Sequence, residues 1–175
     1  MPRRYHPALV ALHWLLALFL IGALVAGGVI LEATPNSDPA KITSLAMHMS
    51  LGIVILVLMI VRLAVRLRTA RPAPADTGVP ALNALGPLTH WALYAAAIAM
   101  AASGVALSVA AGLPPIVFGG QGSLPPDFDA YAARALHGFI APVLMALIAL
   151  HIAAALWHQI IRRDGLMTRM WFGPR

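Results

Sequence analysis

Histidines at two levels of one apolar segment are the residues of this chain best suited to chemistry. His137 and His151 lie fourteen residues apart within residues 135–161, which are otherwise mostly apolar. In an α-helix this spacing separates two side chains by about 21 Å along the axis and leaves them within about 40° of one face. An unpaired imidazole in hydrocarbon is costly, and ionisable residues there usually mark function. The spacing therefore predicts two partnered histidine sites near opposite sides of a bilayer, the arrangement of a two-haem electron-transfer bundle.

The composition confines the chain to membranes. Of its 175 residues, 61% are hydrophobic and 10% are charged, and the mean hydropathy is +0.84, unlike an ordinary soluble domain. A membrane crossing needs about 20 apolar residues. Four segments are long enough, namely 9–31, 44–66, 84–110 and 132–161. Because only short loops remain, the sequence predicts an all-α membrane protein with a single domain over residues 1–175, folded as a four-transmembrane-helix up-and-down bundle.

The first segment has a second interpretation. Arg3 and Arg4 precede its apolar core and small residues follow it, as in a signal peptide. The core is long for a signal peptide, and cleavage would remove His13. We therefore interpret the segment as a membrane span.

Positive charge predicts the orientation of the spans. Ten of the twelve Lys and Arg residues lie at the N terminus, in the loop after the second segment, or at the C terminus. By the positive-inside rule both termini are cytoplasmic, in the inner membrane, and residues 32–44 and 111–131 are outside. The net charge of +6 then reflects topology. A nucleic-acid partner is not expected, because the arginines flank spans without forming a face with interleaved aromatic residues.

This topology pairs the histidines by depth. His48 and His137 are the two at the outer level, so they form the predicted outer pair. At the inner level we favour His13 with His151, because His151 shares a helix face with His137. Ligation by His158 in place of His151 stays open, as does ligation by His90. The groups left at the inner level, expected to bond to a propionate or a quinone ring, are His90 and His158.

The chain contains no cysteine. This excludes disulfides, cysteine-ligated iron–sulfur clusters and the covalent attachment of a c-type haem, so any haem must be of b type. A zinc or copper site is the competing interpretation, since imidazole suits both metals. The levels of His137 and His151 are too far apart for one ion, and no carboxylate lies inside a predicted span.

Short motifs in all four segments resemble, in order, those of the bacterial cytochrome b561 family. The resemblance covers nearly the whole chain and implies two b haems, four histidine ligands and electron exchange with ubiquinone. The family activity closest to this chain is superoxide oxidase, in which superoxide outside the membrane gives an electron to the haems and onward to ubiquinone. The matching residues are Leu12-His13-Trp14, His48-Met49-Ser50-Leu51-Gly52, Arg62-Leu63, His90, Tyr94, Ser103-Gly104, Leu136-His137, Ala149-Leu150-His151, His158 and Arg162-Arg163-Asp164-Gly165.

Two cations lie in the outer part of the chain. Lys41 is seven residues before His48 and Arg134 is three before His137, so each should share a helix face with an outer ligand. They are candidates for catalytic residues that attract superoxide, an anion, or for groups that bind the outer propionates. Ordinary interfacial charge is the alternative. Four acids lie beside these two bases in the outer loops. We therefore expect the cations to attract superoxide close to the outer haem, and we do not expect the whole outer surface to attract it.

The sequence thus predicts a dihaem cytochrome that moves electrons between a periplasmic donor, superoxide, and ubiquinone. Around the inner haem, the expected quinone or propionate contacts are His90, His158, Arg163 and Trp171. One alternative is an electron-carrier subunit for a partner redox protein, such as a dehydrogenase or hydrogenase. Another is a metal or small-molecule transporter, which would need a polar line through the bundle that the spans lack apart from the histidines.

Overall fold

Four long apolar helices dominate the computed structural model, which describes residues 3–173. Within that range the chain forms helices and loops without strands, so the predicted all-α, four-span architecture is confirmed. The long helices extend up to four residues beyond the ranges predicted from sequence. The elements are α1, Pro7–Val25, continued by a π-helical segment, Ala26–Leu31; α2, Ala40–Arg68; α3, Pro80–Ala110; a short α4, Leu113–Val117; α5, Ala132–Leu156, continued by a π-helical segment, Trp157–Arg162; and a 3₁₀ turn, Leu166–Met170.

The helices are long enough to cross a bilayer with residues to spare. α2 has 29 residues and so spans about 43 Å, against a hydrocarbon core of about 30 Å. Sequential helices pack against each other, α1 on α2, α2 on α3 and α3 on α5. This up-and-down order brings the first and last described residues, together with residues 69–79, to one end of the bundle, which we call the terminal end. Residues 32–39 and 111–131 lie at the other, the loop end.

An apolar core fills the middle depth of the bundle. Every long helix contributes to it, and Leu144 at its centre is fully buried. Leu144 lies seven residues from both His137 and His151, so the core separates the two histidine levels. Large apolar side chains on the outer faces are exposed, as expected where lipid replaces water. The buried members of the core are Leu16, Ile55, Met59, Tyr94, Ala97 and Leu144.

Loops close both ends of the bundle. At the loop end, the Asn36 side chain donates to the Pro125 carbonyl (2.9 Å) and ties the two loops together. At the terminal end, residues after α5 fold back over α1. The Trp14 indole donates to the Met170 carbonyl (2.9 Å), and the Tyr5 amide donates to the Arg169 carbonyl (3.0 Å). We call residues 165–172 the C-terminal strap.

Lys41 completes the end of the first span. Its side chain is buried, and its ammonium group donates hydrogen bonds to the carbonyls of Leu31 and Thr34. Carbonyls at a helix C terminus lack partners within the helix. Lys41, in the first turn of α2, therefore joins the start of α2 to the end of the π-helical segment.

We predict that Lys41→Met lowers the thermal unfolding midpoint of the purified protein, because two carbonyls lose their charged donor. Hydrogen bonds to charged groups contribute about 1.5 to 3 kcal/mol each at most, so the loss should be readily measurable. Ser44→Ala is the matched control, since the exposed Ser44 hydroxyl bonds within its own helix to the Ala40 carbonyl. Equal midpoints for the two variants would contradict this role.

Candidate functional site

Four histidines form two facing pairs at opposite ends of the bundle. At the loop end, the ring centres of His48 and His137 are 6.4 Å apart. At the terminal end, those of His13 and His151 are 6.1 Å apart. Two metal–nitrogen bonds of about 2.0 to 2.1 Å and the roughly 1 Å from each nitrogen to its ring centre add to about 6 Å. Each pair thus has the spacing of two imidazoles that share one metal ion, and they are the pairs favoured from sequence.

His90 and His158 occupy different positions around the terminal-end pair. The ring centre of His90 lies 5.5 Å from that of His151, so His151 has two imidazole neighbours. This distance is shorter than the 6.1 and 6.4 Å of the two pairs. His158 instead contacts Trp157 and donates from Nδ1 to a carboxylate oxygen of Asp164 at 2.5 Å. Its surroundings are those of a hydrogen-bonded group beside the pair.

Glycines lie directly against both rings of the loop-end pair. A Cβ atom on Gly27 would come within 3.2 Å of His48 Cε1, and one on Gly104 within 3.1 Å of His137 Cε1. Both distances are tighter than normal carbon contacts, which begin at about 3.5 Å. The π-helical segment and α3 therefore present bare backbone to the imidazoles, and this sets the space in which the rings stand.

Ser103 fixes the proton on His137. Its hydroxyl donates to the Met100 carbonyl (2.9 Å), and its oxygen lies 3.0 Å from His137 Nδ1. Because a hydroxyl has one proton, the oxygen must accept the Nδ1 proton of His137. Nε2 then carries a lone pair and is free to bind a metal. In the sequence, Ser103 stands out only as part of a family motif. A hydroxyl inside an apolar span is the feature that could have identified it as a partner of a histidine.

Two arginines lie inside the terminal end. The sequence predicts that both set the topology, and Arg62 also belongs to one of the family motifs. Arg66 is 9% exposed and stacks on Trp91 and Tyr94, with 5.3 and 5.5 Å from Cζ to the ring centres. Arg62 also lies over Tyr94, with 5.4 Å from its Cζ to the ring centre. One of its amino nitrogens is 3.4 Å from His13 Nδ1. An arginine at a helix centre costs about 2.5 to 3.5 kcal/mol in membrane insertion. Arginines that face the inside of a bundle therefore usually mark a functional site.

The two predicted outer cations lie at one opening. Together with residues of both loops, Lys41 and Arg134 line an open cavity of about 760 Å³ at the loop end. Arg134 forms an ion pair with Glu32 at 2.8 Å. Lys41 is buried and bonded to carbonyls, as described above. Both charges therefore have structural partners as well as access to the cavity.

Arg163 and Trp171 lie on the surface of the terminal end. Arg163 has a left-handed backbone (φ 54°) that ends the helix, and its Nε donates to the Ile160 carbonyl at 3.2 Å. The Trp171 ring contacts Trp14, with 5.9 Å between ring centres. The ring of Trp14 in turn contacts that of His13 at 5.2 Å. Trp171 is thus one aromatic ring away from the histidine pair.

Asp164 is the acid closest in sequence to these groups. Partial burial raises the pKa of its carboxyl, but hydrogen bonds from His158 and from the Leu166 amide, together with the charge of Arg162, outweigh that effect. The pKa of Asp164 is therefore below its usual value. The carboxylate is ionised at neutral pH and can hold the Nδ1 proton of His158.

Comparison with known proteins finds matches along nearly the entire chain. A family model described as prokaryotic cytochrome b561 matches residues 4–173. A Yersinia pestis protein named "probable superoxide oxidase CybB" is 30% identical over 174 residues, 97% of each chain. An Escherichia coli (strain K12) protein named "cytochrome b561 homolog 2" is 30% identical over 173 residues, 97% of this chain and 92% of the relative.

The matched family implies haem b, and the histidine pairs fit that group. The ring spacings suit two nitrogen ligands, Ser103 leaves Nε2 of His137 free, and Gly27 and Gly104 clear the space beside the loop-end rings. A group held only by coordination and packing depends on such details.

We predict that Gly27→Ala weakens haem binding at the loop end, because the new methyl group displaces the His48 ring. Rotating a side chain about 30° from its preferred torsion costs about 0.5 to 1.5 kcal/mol, so affinity should fall by up to roughly tenfold. Haem per chain and the redox titration of the purified protein would measure this. Gly28→Ala is the control, since a Cβ there meets nothing within 4 Å. Unchanged haem binding in Gly27→Ala would contradict the prediction.

Proposed function

This chain belongs to the prokaryotic cytochrome b561 family, and we propose that it transfers electrons from superoxide to ubiquinone through two b haems. It is a multi-pass bacterial membrane cytochrome that carries electrons. The observation that carries the proposal is the two imidazole pairs, with ring centres 6.4 and 6.1 Å apart, on opposite sides of an apolar core. His48 with His137 and His13 with His151 are the proposed axial ligands. Haem supplies the one-electron chemistry when bound, and the chain sets ligation, orientation and access.

The proposed orientation places the terminal end in the cytoplasm. Of the eleven basic residues that the structure describes, nine lie at that end, and the other two are Lys41 and Arg134. The positive-inside rule then places the loop end outside the inner membrane. An outer donor would meet the His48–His137 pair first, and an inner acceptor would meet the His13–His151 pair.

At the loop end, we assign superoxide to the cavity lined by Lys41 and Arg134. Superoxide is a monoanion, and the Yersinia pestis relative is named a probable superoxide oxidase. Two superoxide anions give up two electrons and leave as two molecules of O₂. Local cations raise the encounter rate of an anion with an opening of this kind. The negative charge of Glu32, which is paired with Arg134, cancels part of that attraction.

At the terminal end, we assign ubiquinone to the neighbourhood of His90, His158, Trp171 and Arg163. Ubiquinone takes up two electrons and two protons, so it needs hydrogen-bonding groups as well as a nearby haem. Asp164 holds Nδ1 of His158, which leaves Nε2 as the atom that can bond to a quinone oxygen. His90, beside His151, is a second such group.

A carrier subunit is the second candidate function, and one observation favours it. The cavity at the loop end is lined by acids as well as by Lys41 and Arg134, and four acids oppose two bases in the outer loops. A net negative opening suits a basic redox partner better than a small anion. Co-purification of a second redox protein, without superoxide-driven haem reduction, would favour this function.

We predict that wild-type protein holds two b haems, that superoxide reduces them, and that added ubiquinone then reoxidises them with formation of ubiquinol. His48→Ala should remove one haem and the rapid reduction by superoxide, while ubiquinol still reduces the haem that remains. Stopped-flow absorption and haem quantification measure both. His6→Ala is the control, because the His6 side chain caps α1 and belongs to neither pair. One haem or none in wild type, or rapid reduction by superoxide in His48→Ala, would contradict the proposal.

We predict opposite effects of the two partners in the outer ion pair. Arg134→Gln should slow haem reduction by superoxide, and Glu32→Gln should accelerate it, because the second change leaves Arg134 uncancelled. Exposed ion pairs are worth about 0.2 to 1 kcal/mol, so the changes should be at most roughly fivefold. The rates should converge as the Debye length falls from about 10 Å at 0.1 M salt to about 3 Å at 1 M. Equal rates in both variants would leave the pair as a structural contact.

A further inference from the structure

We propose that Arg62 and Arg66, together with the Tyr94 hydroxyl, form a carboxylate-binding site for the two propionates of the haem between His13 and His151. This inference rests on the proposed function, because it requires a haem at the terminal end. It differs from the expectation drawn from sequence, in which the quinone or propionate contacts at the inner haem are His90, His158, Arg163 and Trp171.

The first support is uncompensated charge. Arg62 and Arg66 lie inside α2, six and two residues before its end at Arg68. Arginines so close to a helix end usually extend toward the interface, yet these two turn inward onto Tyr94. Among the described residues, the ion pairs involve Arg134, His158 and Arg162, and neither inward arginine takes part. The groups that act on the charge of Arg62 are tyrosines, histidines and a second arginine, with no carboxylate among them, namely Tyr5, Tyr94, His13, His90, His151 and Arg66.

The second support is a set of buried donors without acceptors. Arg66 is 9% exposed and Tyr94 is 6% exposed. Within the part of the chain that the structure describes, the Arg66 Nε proton and the Tyr94 hydroxyl make no hydrogen bond of normal geometry. Buried polar groups in proteins are nearly always bonded. Guanidinium groups are pure donors with a planar fork that matches a carboxylate.

Stacking leaves the binding edge of Arg66 available. Its guanidinium lies over the faces of Trp91 and Tyr94, at 5.3 and 5.5 Å from the ring centres. Cation–π contacts use the face of a guanidinium, whereas hydrogen bonds lie in its plane. The aromatic rings therefore hold Arg66 in place while its buried Nε proton stays without a partner among the described residues.

The third support is the contact of Arg62 with His13. An amino nitrogen of Arg62 lies 3.4 Å from His13 Nδ1. Because guanidinium only donates, this contact needs a lone pair on Nδ1, and the proton of the neutral ring is then on Nε2. Ligation through Nε2 requires the opposite tautomer. Ligation at Nε2 and this contact are thus mutually exclusive, so Arg62 would need another acceptor if His13 held a haem through Nε2, and a propionate would supply one.

Charge balance favours propionates over a lipid phosphate. Two guanidinium groups would balance the two carboxylates of one haem, and His13 with His151 would hold that haem at this level. A lipid phosphate carries a single negative charge and sits at the headgroup level, whereas Arg66 is buried under Trp91 and Tyr94. The site therefore fits the propionates of a haem inside the bundle better than a phosphate at the headgroup level.

The test compares haem with its dimethyl ester, in which both propionates are neutral. Full-length His48→Ala protein, which should keep the terminal-end haem alone, is freed of haem and titrated with each form. We expect the parent to bind haem at least tenfold more tightly than the ester. Arg62→Gln/Arg66→Gln should lower haem affinity to that of the ester and leave ester affinity within about twofold. Arg68→Gln, an exposed arginine on the same helix, should keep full discrimination.

Infrared difference spectra give a second measurement on holoprotein, so that poor reconstitution does not decide the result. Haem labelled with ¹³C at the propionate carboxyls should show carboxylate bands that shift in Arg66→Gln and stay fixed in Arg68→Gln. Undiminished discrimination or unshifted bands in the double variant would overturn the proposal. So would a loss of bound phospholipid in the double variant with unchanged haem affinity. Absence of superoxide-driven ubiquinone reduction in wild type would contradict the proposed function. The preference for haem over its dimethyl ester would still test the propionate site.

Discussion

Hydrocarbon offers no partner to a polar group, and this constraint decides where each polar side chain of the bundle lies. The imidazoles of the spans face one another in pairs, with ring centres 6.4 and 6.1 Å apart. Ser103 bonds to His137 and to its own helix, and Lys41 bonds to the carbonyls that end the first span. Arg62 and Arg66 stack on aromatic rings. The middle of the bundle is left to apolar side chains, so the polar chemistry is divided between two ends.

The two ends differ in how they hold their histidines. At the loop end, backbone at Gly27 and Gly104 lies against the rings, and a neutral hydroxyl sets the proton of His137. At the terminal end, cations lie beside the rings, and Arg62 contacts His13 directly. One pair is thus governed by shape and the other by charge. A protein with different electron donors and acceptors on its two sides gains from such a difference, because each site can be adjusted without disturbing the other.

The fold and the histidine pairs could be predicted because they depend on local sequence patterns. Runs of about 20 apolar residues imply spans, and fourteen residues between His137 and His151 imply one face at two depths. The inward placement of Arg62 and Arg66 could not be predicted, because a position near a helix end is equally typical of arginines that set topology. Only the packing against Tyr94 and Trp91 shows that they turn inward. Lys41 is similar, since its burial depends on how residues 31–34 turn back over α2. Contacts between distant segments are what a periodic pattern does not contain.

The C-terminal strap imposes an order on biogenesis. Trp14 donates to the carbonyl of Met170, and the guanidinium of Arg4 donates to the carbonyls of Trp171 and Phe172. Met170 follows Trp14 by 156 residues, so the strap is synthesised after all four long helices. During that interval the nascent chain carries His13 and Trp14 without the strap beside them, and a cofactor can enter from this side of the bundle. Packing of the strap on α1 then closes this route.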